Sequence, residues 1–316
     1  MPRARRWPTP TSGSSGVLSE ASRFDVCVVG HVVLDRNVID GIEHPPQPGG
    51  AAWYATVAYA RLGLRAAVLT RVAAADEGLL LGGLRALGVT VVNLGAPRST
   101  VFRNIDSTAP GARRAQRVDQ QAPPIGPADL RRLQALVWHL GPLRHDDLGD
   151  GLAAACLGRG GRVALDVQGL IRRVEGGRVE ARPPEGSGDL GAIHVLKADD
   201  AEILTFTGAG EVDAGARAAL QAGAGEVVIT KADRGSILFE GERRIPIPAY
   251  RPAVEVDPTG CGDTYLAGYL ARRLETADLE ECGRFAAAVA ALKLEAVGPF
   301  RGDRERVAAL RRAASP

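Results

Sequence analysis

An α/β fold, with a mainly parallel central sheet covered by helices, is predicted by two observations. Short β-rich runs alternate along the chain with apolar patterns of helical period, and several polar, glycine-bearing motifs each fall just after one of those runs. The candidate strands are residues 24–29, 66–70, 89–93, 136–140, 162–167, 192–196, 226–230 and 236–239. Helices are expected over residues 51–62, 77–87, 128–135, 148–157, 212–222, 263–274, 279–297 and 303–313. The stretches 97–127 and 172–189, rich in Pro, Gly and Arg, read as surface excursions. In an open parallel sheet ligands lie beyond the carboxyl ends of the strands, and that rule gathers the motifs into one crevice.

The 316 residues, 45% hydrophobic and 24% charged, are enough for one large domain with a substantial core. We expect a disordered tail over residues 1–22, which hold three arginines and a Thr-Ser-Gly-Ser-Ser-Gly run without an apolar segment, and a single domain over 23–316. The 39 basic and 37 acidic residues leave a net charge of +2, which provides no global attraction to nucleic acid or to an anionic membrane. A small-molecule partner follows. Four separated cysteines, Cys27, Cys156, Cys261 and Cys282, show no metal-site or disulfide spacing, so a reduced, cytoplasmic chain is expected. No stretch approaches the ~20 apolar residues of a membrane span.

The most informative segment is Asp257-Pro258-Thr259-Gly260-Cys261-Gly262-Asp263-Thr264. Residues 253–256 read as a strand end, and Leu266, Tyr269, Leu270 and Leu274 recur at helical spacing, so the segment reads as strand, tight turn, helix. The first amides of a helix have no internal partner and carry the positive end of its dipole, so a phosphate can settle there. Gly260 and Gly262 let the backbone approach it. Asp263, in the first turn, is either a dipole-stabilising residue or a general base for a substrate hydroxyl. Cys261 is open to two readings, a thiol of lowered pKa or a small residue whose backbone N–H matters.

The octapeptide resembles the C-terminal D-T-x-G-A-G-D signature of the ribokinase-like PfkB carbohydrate kinases, in a D-P-T-G variant with Cys261 for the usual Ala. The resemblance runs from about residue 24 to about 298. It implies a ribokinase-like three-layer α/β/α fold. Gly30-His31-Val32-Val33-Leu34-Asp35, followed by Gly49-Gly50 at a helix start, is similar to the family's sugar-holding half; a carboxylate there can accept bonds from two adjacent hydroxyls. Asp35, Gly49 and Gly50 are therefore the expected substrate residues, with a loop or capping role the alternative for Asp35. Where the family often has G-G-K-G-A-N the run here is Gly49-Gly50-Ala51-Ala52-Trp53-Tyr54, and Trp53 and Tyr54 either stack on a sugar ring or pack within the helix. The short span between Asp35 and Gly49 implies a reduced or absent β-lid, although residues 100–117, with Arg103, Arg113 and Arg114, offer a second lid segment. His31 is either a pocket contact or a loop histidine.

Lys197-Ala198-Asp199-Asp200-Ala201-Glu202 is similar to the family's N-x-x-E motif, with Asp199 at the Asn position. The resemblance implies Mg²⁺ organised by Glu202 and Asp199, and hard carboxylate oxygens suit that ion, although an acidic helix start explains the same residues. Thr230-Lys231-Ala232-Asp233-Arg234-Gly235 occupies the place of the T-x-G-x-x-G nucleotide loop, with Ala232 for the middle Gly. Thr230, Gly235 and Lys197 are the expected ATP contacts, a plain strand-to-strand turn being the alternative. Monovalent-cation sites of the family place candidate K⁺ ligands among the backbone carbonyls around Asp257 and Thr259. The implied activity is ATP-dependent phosphorylation of a hydroxyl on a sugar or related polyol, with Asp263 as base and the Gly260–Gly262 backbone, Cys261 included, as anion hole. A nucleoside or inositol kinase, or a sensor that has lost its chemistry, are the alternatives. A homodimer is compatible with all of them.

Overall fold

The first strand shows why the central sheet is buried on both faces. In β1 (Phe24–Val29), Val26 and Val28 join one hydrophobic cluster while Cys27 and Val29 join another, all four without solvent exposure. The structure is a computed structural model that describes residues 23–107, 115–130, 133–185 and 190–313. The expected tail and Arg113 and Arg114 lie outside the described residues. After β1 come β2 (Val33–Ile39), β3 (Ile42–Glu43), β4 (Gln47–Gly49), α1 (Ala51–Arg61), β5 (Ala66–Thr70), α2 (Glu77–Ala86), β6 (Thr90–Asn93), β7 (Val101–Asp106) and β8 (Ala115–Gln120). Next are β9 (Ala135–Leu140), α3 (Leu152–Gly158), β10 (Arg162–Asp166), β11 (Arg172–Glu175), β12 (Arg178–Ala181), β13 (Val195–Asp199) and α4 (Asp200–Thr207). The chain continues through α5 (Val212–Gln221), β14 (Glu226–Thr230), β15 (Ser236–Glu240), β16 (Arg243–Ile247), α6 (Cys261–Arg273), α7 (Leu279–Leu294) and α8 (Arg304–Ala313).

Among the described residues, nine strands form the central sheet in the order β16-β15-β14-β13-β10-β9-β1-β5-β6. All neighbours pair in parallel except β14 with β15 and β15 with β16. Residues of α1, α2, α6, α7 and α8 share a cluster with Val26 and Val28, and those of α3, α4 and α5 share one with Cys27 and Val29. Three layers result. From β1 the chain winds outward through β5 and β6, then returns to the other side of β1 at β9, so the order reverses between β1 and β9. A crevice opens at that point, beyond the carboxyl ends of the strands.

The expectation of a reduced or absent lid is corrected by a second sheet, of seven strands among the described residues, ordered β11-β12-β8-β7-β2-β3 with β4 on β2. Few residues separate Asp35 from Gly49, yet a hairpin fits because Asp40 and Gly41 both take positive φ, 49° and 81°, giving a two-residue turn of the primed kind. The remaining strands come from the stretches read as surface excursions. Val33, Phe102 and Val118 form a small core under this sheet with Ala51 and Leu143.

Three further expectations differ. The helix expected over residues 128–135 is not found among its described residues: Pro127–Leu130 form a 3₁₀ turn and β9 begins at Ala135. Residues 253–256 are not a strand end but part of an extended loop, with Val254 and Val256 53% and 47% exposed. Helix α4, whose span is not among the expected helices although an acidic helix start is the alternative reading of Asp199 and Glu202, is started by a capping box in which the Asp199 carboxylate accepts from Glu202 N–H at 2.7 Å and Glu202 accepts from Asp199 N–H at 2.8 Å.

Candidate active site

At the carboxyl edge of the sheet, Asp166 of β10 lies in register with Lys197 of β13, and Asp199 of β13 with Thr230 of β14. The Lys197 ammonium pairs with Asp166 at 3.0 Å and with Glu202 at 3.6 Å, almost fully buried. Burial alone would push this ammonium down, but Asp166, Glu202 and Asp263 hold it above its ordinary value. A Cβ added at Gly262 would lie 3.0 Å from its Nζ, so the first turn of α6 rests directly on this lysine.

The turn before α6 is held from several sides. Asp257 Oδ1 accepts from Thr259 N–H at 2.9 Å and Oδ2 from Gly298 N–H at 3.2 Å. Gly260 caps α6 with φ 78°, and a Cβ there would lie 2.2 Å from the Tyr54 ring, so this glycine is required by both conformation and space. The Cys261 N–H donates to Pro258 O at 3.1 Å, which leaves the amides of Gly262 and Asp263 as the first-turn donors without a partner among the described residues. Burial pushes the Cys261 thiol up to about 11, which corrects the reading of a lowered thiol pKa. Asp263 is partly buried at the same helix start. Burial, then repulsion from Asp166, pushes its carboxyl up to about 7, against the pull of Lys197 and Arg172.

Two cavities of unequal size meet at Gln168, Gly260 and Asp263. The larger, about 1130 Å³, runs past Lys197, Asp199, Glu202 and Thr230 toward Gly235 and the small side chains Ala287, Ala290 and Ala291. The smaller, about 140 Å³, is walled by Asp35, Gly50, Tyr54, Asn104, Gln116 and Arg172. Asp35 is 7% exposed, its carboxylate packed so close to Gly49 that any side chain there would collide with it. The sequence-derived residues are thus gathered around one junction. Tyr54 packs against Gly260 and also lines the small cavity, whereas Trp53 packs on Gly83 of α2. His31 is fully buried, 2.9 Å from Pro123 O and 3.3 Å from Asp147, so it is a structural histidine and not a pocket contact.

Ala232 takes φ 51°, the left-handed conformation that explains why the motif it resembles has Gly there. Thr230, Ala232, Asp233 and Gly235 all line the large cavity. For Mg²⁺, one oxygen of Glu202 and one of Asp199 are committed to the capping box, and no cluster of three metal-ligating side chains exists among the described residues. Repulsion from Glu202 adds to burial in raising the Asp199 carboxyl. These carboxylates fit a hydrated ion carried on a substrate's phosphates, not a metal caged by protein.

Asn104 and Gln116, on the wall of the small cavity, escaped the sequence reading, and so did Gln168, Arg172 and Lys293. Gln168 stands at the junction, its N–H donating to Asp166 Oδ1 at 2.9 Å. Arg172, from the stretch read as an excursion, lines the small cavity, and its guanidinium makes no hydrogen bond or ion pair with another described residue. Burial lowers its pKa, opposed by Glu202, Asp166, Asp263 and Asp199. Lys293 is 1% exposed, and its Nζ lies 2.5 Å from Asp257 O.

Residues 189–303 match the family model for pfkB family carbohydrate kinases. The chain is 27% identical to a cytidine kinase of Thermococcus kodakarensis over 83% of its own length and 92% of that protein. It is 39% identical to a nucleoside kinase of Methanocaldococcus jannaschii, over 23% of its length and only 24% of that protein. A pyrophosphate-dependent kinase of the ribokinase family, complexed with a pyrophosphate analog and myo-inositol, superposes with a TM-score of 0.80 at 28% identity, covering 90% of this chain and 99% of that one. No helix among the described residues is long and apolar enough to cross a membrane.

Proposed function

Because the chain belongs to the ribokinase-like PfkB family of carbohydrate kinases, we propose that it transfers the γ-phosphoryl group of ATP to a hydroxyl of a compact sugar or polyol. The catalytic unit would span residues 23–316. The observation that carries this reading is the pair of cavities meeting at Gly260 and Asp263, one large and one small. The large one has room for a complete nucleotide, with alanines of α7 at its far end where a flat base can lie. Pyrophosphate would fill only the end near Lys197. The small one, about 140 Å³, is close in size to the ~150 Å³ cavity that takes a benzene ring, so it suits one ring and not a base joined to a ribose.

In this mechanism Asp35 and the Gly49–Gly50 turn hold hydroxyls of the acceptor, and the reacting hydroxyl lies at the junction beside Asp263. Asp263 takes its proton as the oxygen bonds to the γ-phosphorus, the bond to the β-phosphate oxygen breaks and ADP departs. The amides of Gly262 and Asp263 and the Arg172 guanidinium face the charge on the phosphoryl oxygens. Thr230 and Gly235 border the nucleotide, and Lys197 keeps the buried carboxylates balanced beneath it. Asp199 and Glu202 would hold Mg²⁺ through its waters, and the ion would offset polyphosphate charge.

A panel of pentoses, hexoses, inositols and nucleosides, assayed for acceptor-dependent product with ATP and with pyrophosphate as donors, tests the reading. Turnover on a single-ring polyol with ATP is expected. Preference for cytidine or another nucleoside would overturn the acceptor assignment, preference for pyrophosphate the donor assignment, and ATP binding without turnover would favour a sensor.

Asp35→Ala should raise the acceptor KM about 10- to 100-fold, the loss of hydrogen bonds to a charged group, with a smaller fall in kcat. An unchanged acceptor KM would remove Asp35 from the substrate site. Glu202→Gln keeps the capping box, since Gln serves at that position as well as Glu, but removes a negative charge facing the donor. It should raise the Mg²⁺ concentration for half-maximal rate, and an unchanged Mg²⁺ titration would leave Glu202 as a cap alone.

A further inference from the structure

The carbonyl of Asp257, proposed from family resemblance as a K⁺ ligand, already has a cation against it. Lys293 Nζ donates to Asp257 O at 2.5 Å, stands 3.4 Å from Asp257 Oδ2 and lies 5.9 Å from the centre of the Tyr54 ring. It is 1% exposed. A buried ammonium is costly unless surrounded by such partners, and a carbonyl, a carboxylate and a ring face together are what offset the cost here. A K⁺ ion at this carbonyl would have to share its oxygen with the lysine at close range, one positive charge against another. The expected K⁺ site therefore does not fit these residues.

The ammonium also sits where it can act on the chemistry. The Asp257 carboxylate that it pairs with accepts from Thr259 N–H and Gly298 N–H, and Val256 N–H and Asp257 N–H both reach Leu294 O, the residue after Lys293. The Tyr54 ring, whose centre lies 5.9 Å from the ammonium, packs against Gly260. One lysine thus ties the end of α7 to the loop that enters the α6 turn, and through Tyr54 to the glycine that opens it.

We infer that the Lys293 ammonium is a built-in cation that fixes the phosphate-facing turn from within the chain, so that the protein needs no added monovalent ion. Lys293 is a positioning residue: it touches Asp257, not the substrate. The inference rests on the phosphotransfer reading only for its kinetic arm.

The full chain, exchanged into tetramethylammonium salts and titrated with KCl at constant ionic strength, provides the first test. Both melting temperature and kcat should stay level, kcat within about twofold, because an ion that does not bind the folded state cannot stabilise it. A rise in both with K⁺ would overturn the inference. Lys293→Met, of similar size, should lose about tenfold or more in kcat with little change in either KM. Added K⁺ or ammonium should restore part of that turnover and raise the melting temperature of this variant alone. Wild-type turnover in Lys293→Met would overturn the positioning role, and a loss relieved by neither ion would reduce Lys293 to an anchor and overturn the assignment as a cation. A variant that did not fold would leave the wild-type titration to decide. If the wild type phosphorylated no acceptor, the phosphotransfer reading would fall while the melting data still decided this one.

Discussion

Asp263→Asn is expected to lower kcat by about 10²–10⁴-fold, the usual worth of a general base, with the Kd for ATP near that of the wild type. Asn keeps the size and most of the hydrogen bonding of Asp but cannot take the proton. Asp263 stands at the junction of the two cavities, in the first turn of α6, and its carboxyl is pushed up to about 7 by burial and by Asp166. A base with that value is matched to neutral solution. In the wild type kcat/KM should rise with pH and level off above about 7, as the carboxyl loses its proton. Stability should run the other way. A carboxyl raised from 3.8 to about 7 on folding adds stability that is complete below the lower value and is lost as pH rises through the upper one. Asp263→Asn should therefore melt at least as high as the wild type at pH 8, and the comparison should tilt back toward the wild type at pH 5. Retention of most turnover by the purified variant would defeat the mechanism even with the fold intact.

How much of this site was legible in the sequence depends on whether each role is local. The Gly260–Asp263 turn declares itself because a helix start has unpaired amides wherever it occurs, and two glycines with a carboxylate are its local chemistry. The central strands are legible for the same reason: β1 is apolar on both faces, and a run such as Val26-Cys27-Val28-Val29 permits little else. The second sheet was not. Its strands are short and polar, with only Val33, Phe102, Val118 and a few neighbours turned inward, and their pairing joins segments far apart in the chain. Without a lid in view, Asn104 and Gln116 had no place beside the small cavity. Arg172 was lost with them, as one arginine among several in a loop-like stretch. Lys293 did leave a trace, since it is the one charged residue in the apolar run 285–294 of α7, and a lone charge on a buried helix asks for a partner. Its partner is 36 residues away, and only the fold brings them together.

Arg172→Ala should lower kcat by about 10²-fold, comparable with the removal of one donor from an anion hole, and should leave the ATP KM little changed. The arginine reaches the small cavity because the chain turns sharply after Asp166: Arg172 N–H closes onto Gly169 O at 3.0 Å, and a side chain at Gly169 would strike Pro142. The turn is made by backbone, so truncating the side chain should not undo it. The guanidinium has no partner of its own among the described residues, yet it is held beside Asp166, Glu202 and Asp263. It is charged and available to an anion. A second consequence separates this role from simple packing. Arg172 is one of two cations that pull the Asp263 carboxyl down, so its loss should carry the midpoint of the kcat/KM profile upward from about 7. Arg172→Lys, which keeps the charge without the planar fork, should hold that midpoint near the wild-type value while recovering only part of kcat. Guanidinium ion added to Arg172→Ala should restore turnover in proportion to its concentration. A kcat loss with no movement of the midpoint and no response to guanidinium would mean that Arg172 shapes the cavity wall and does not face the phosphoryl group.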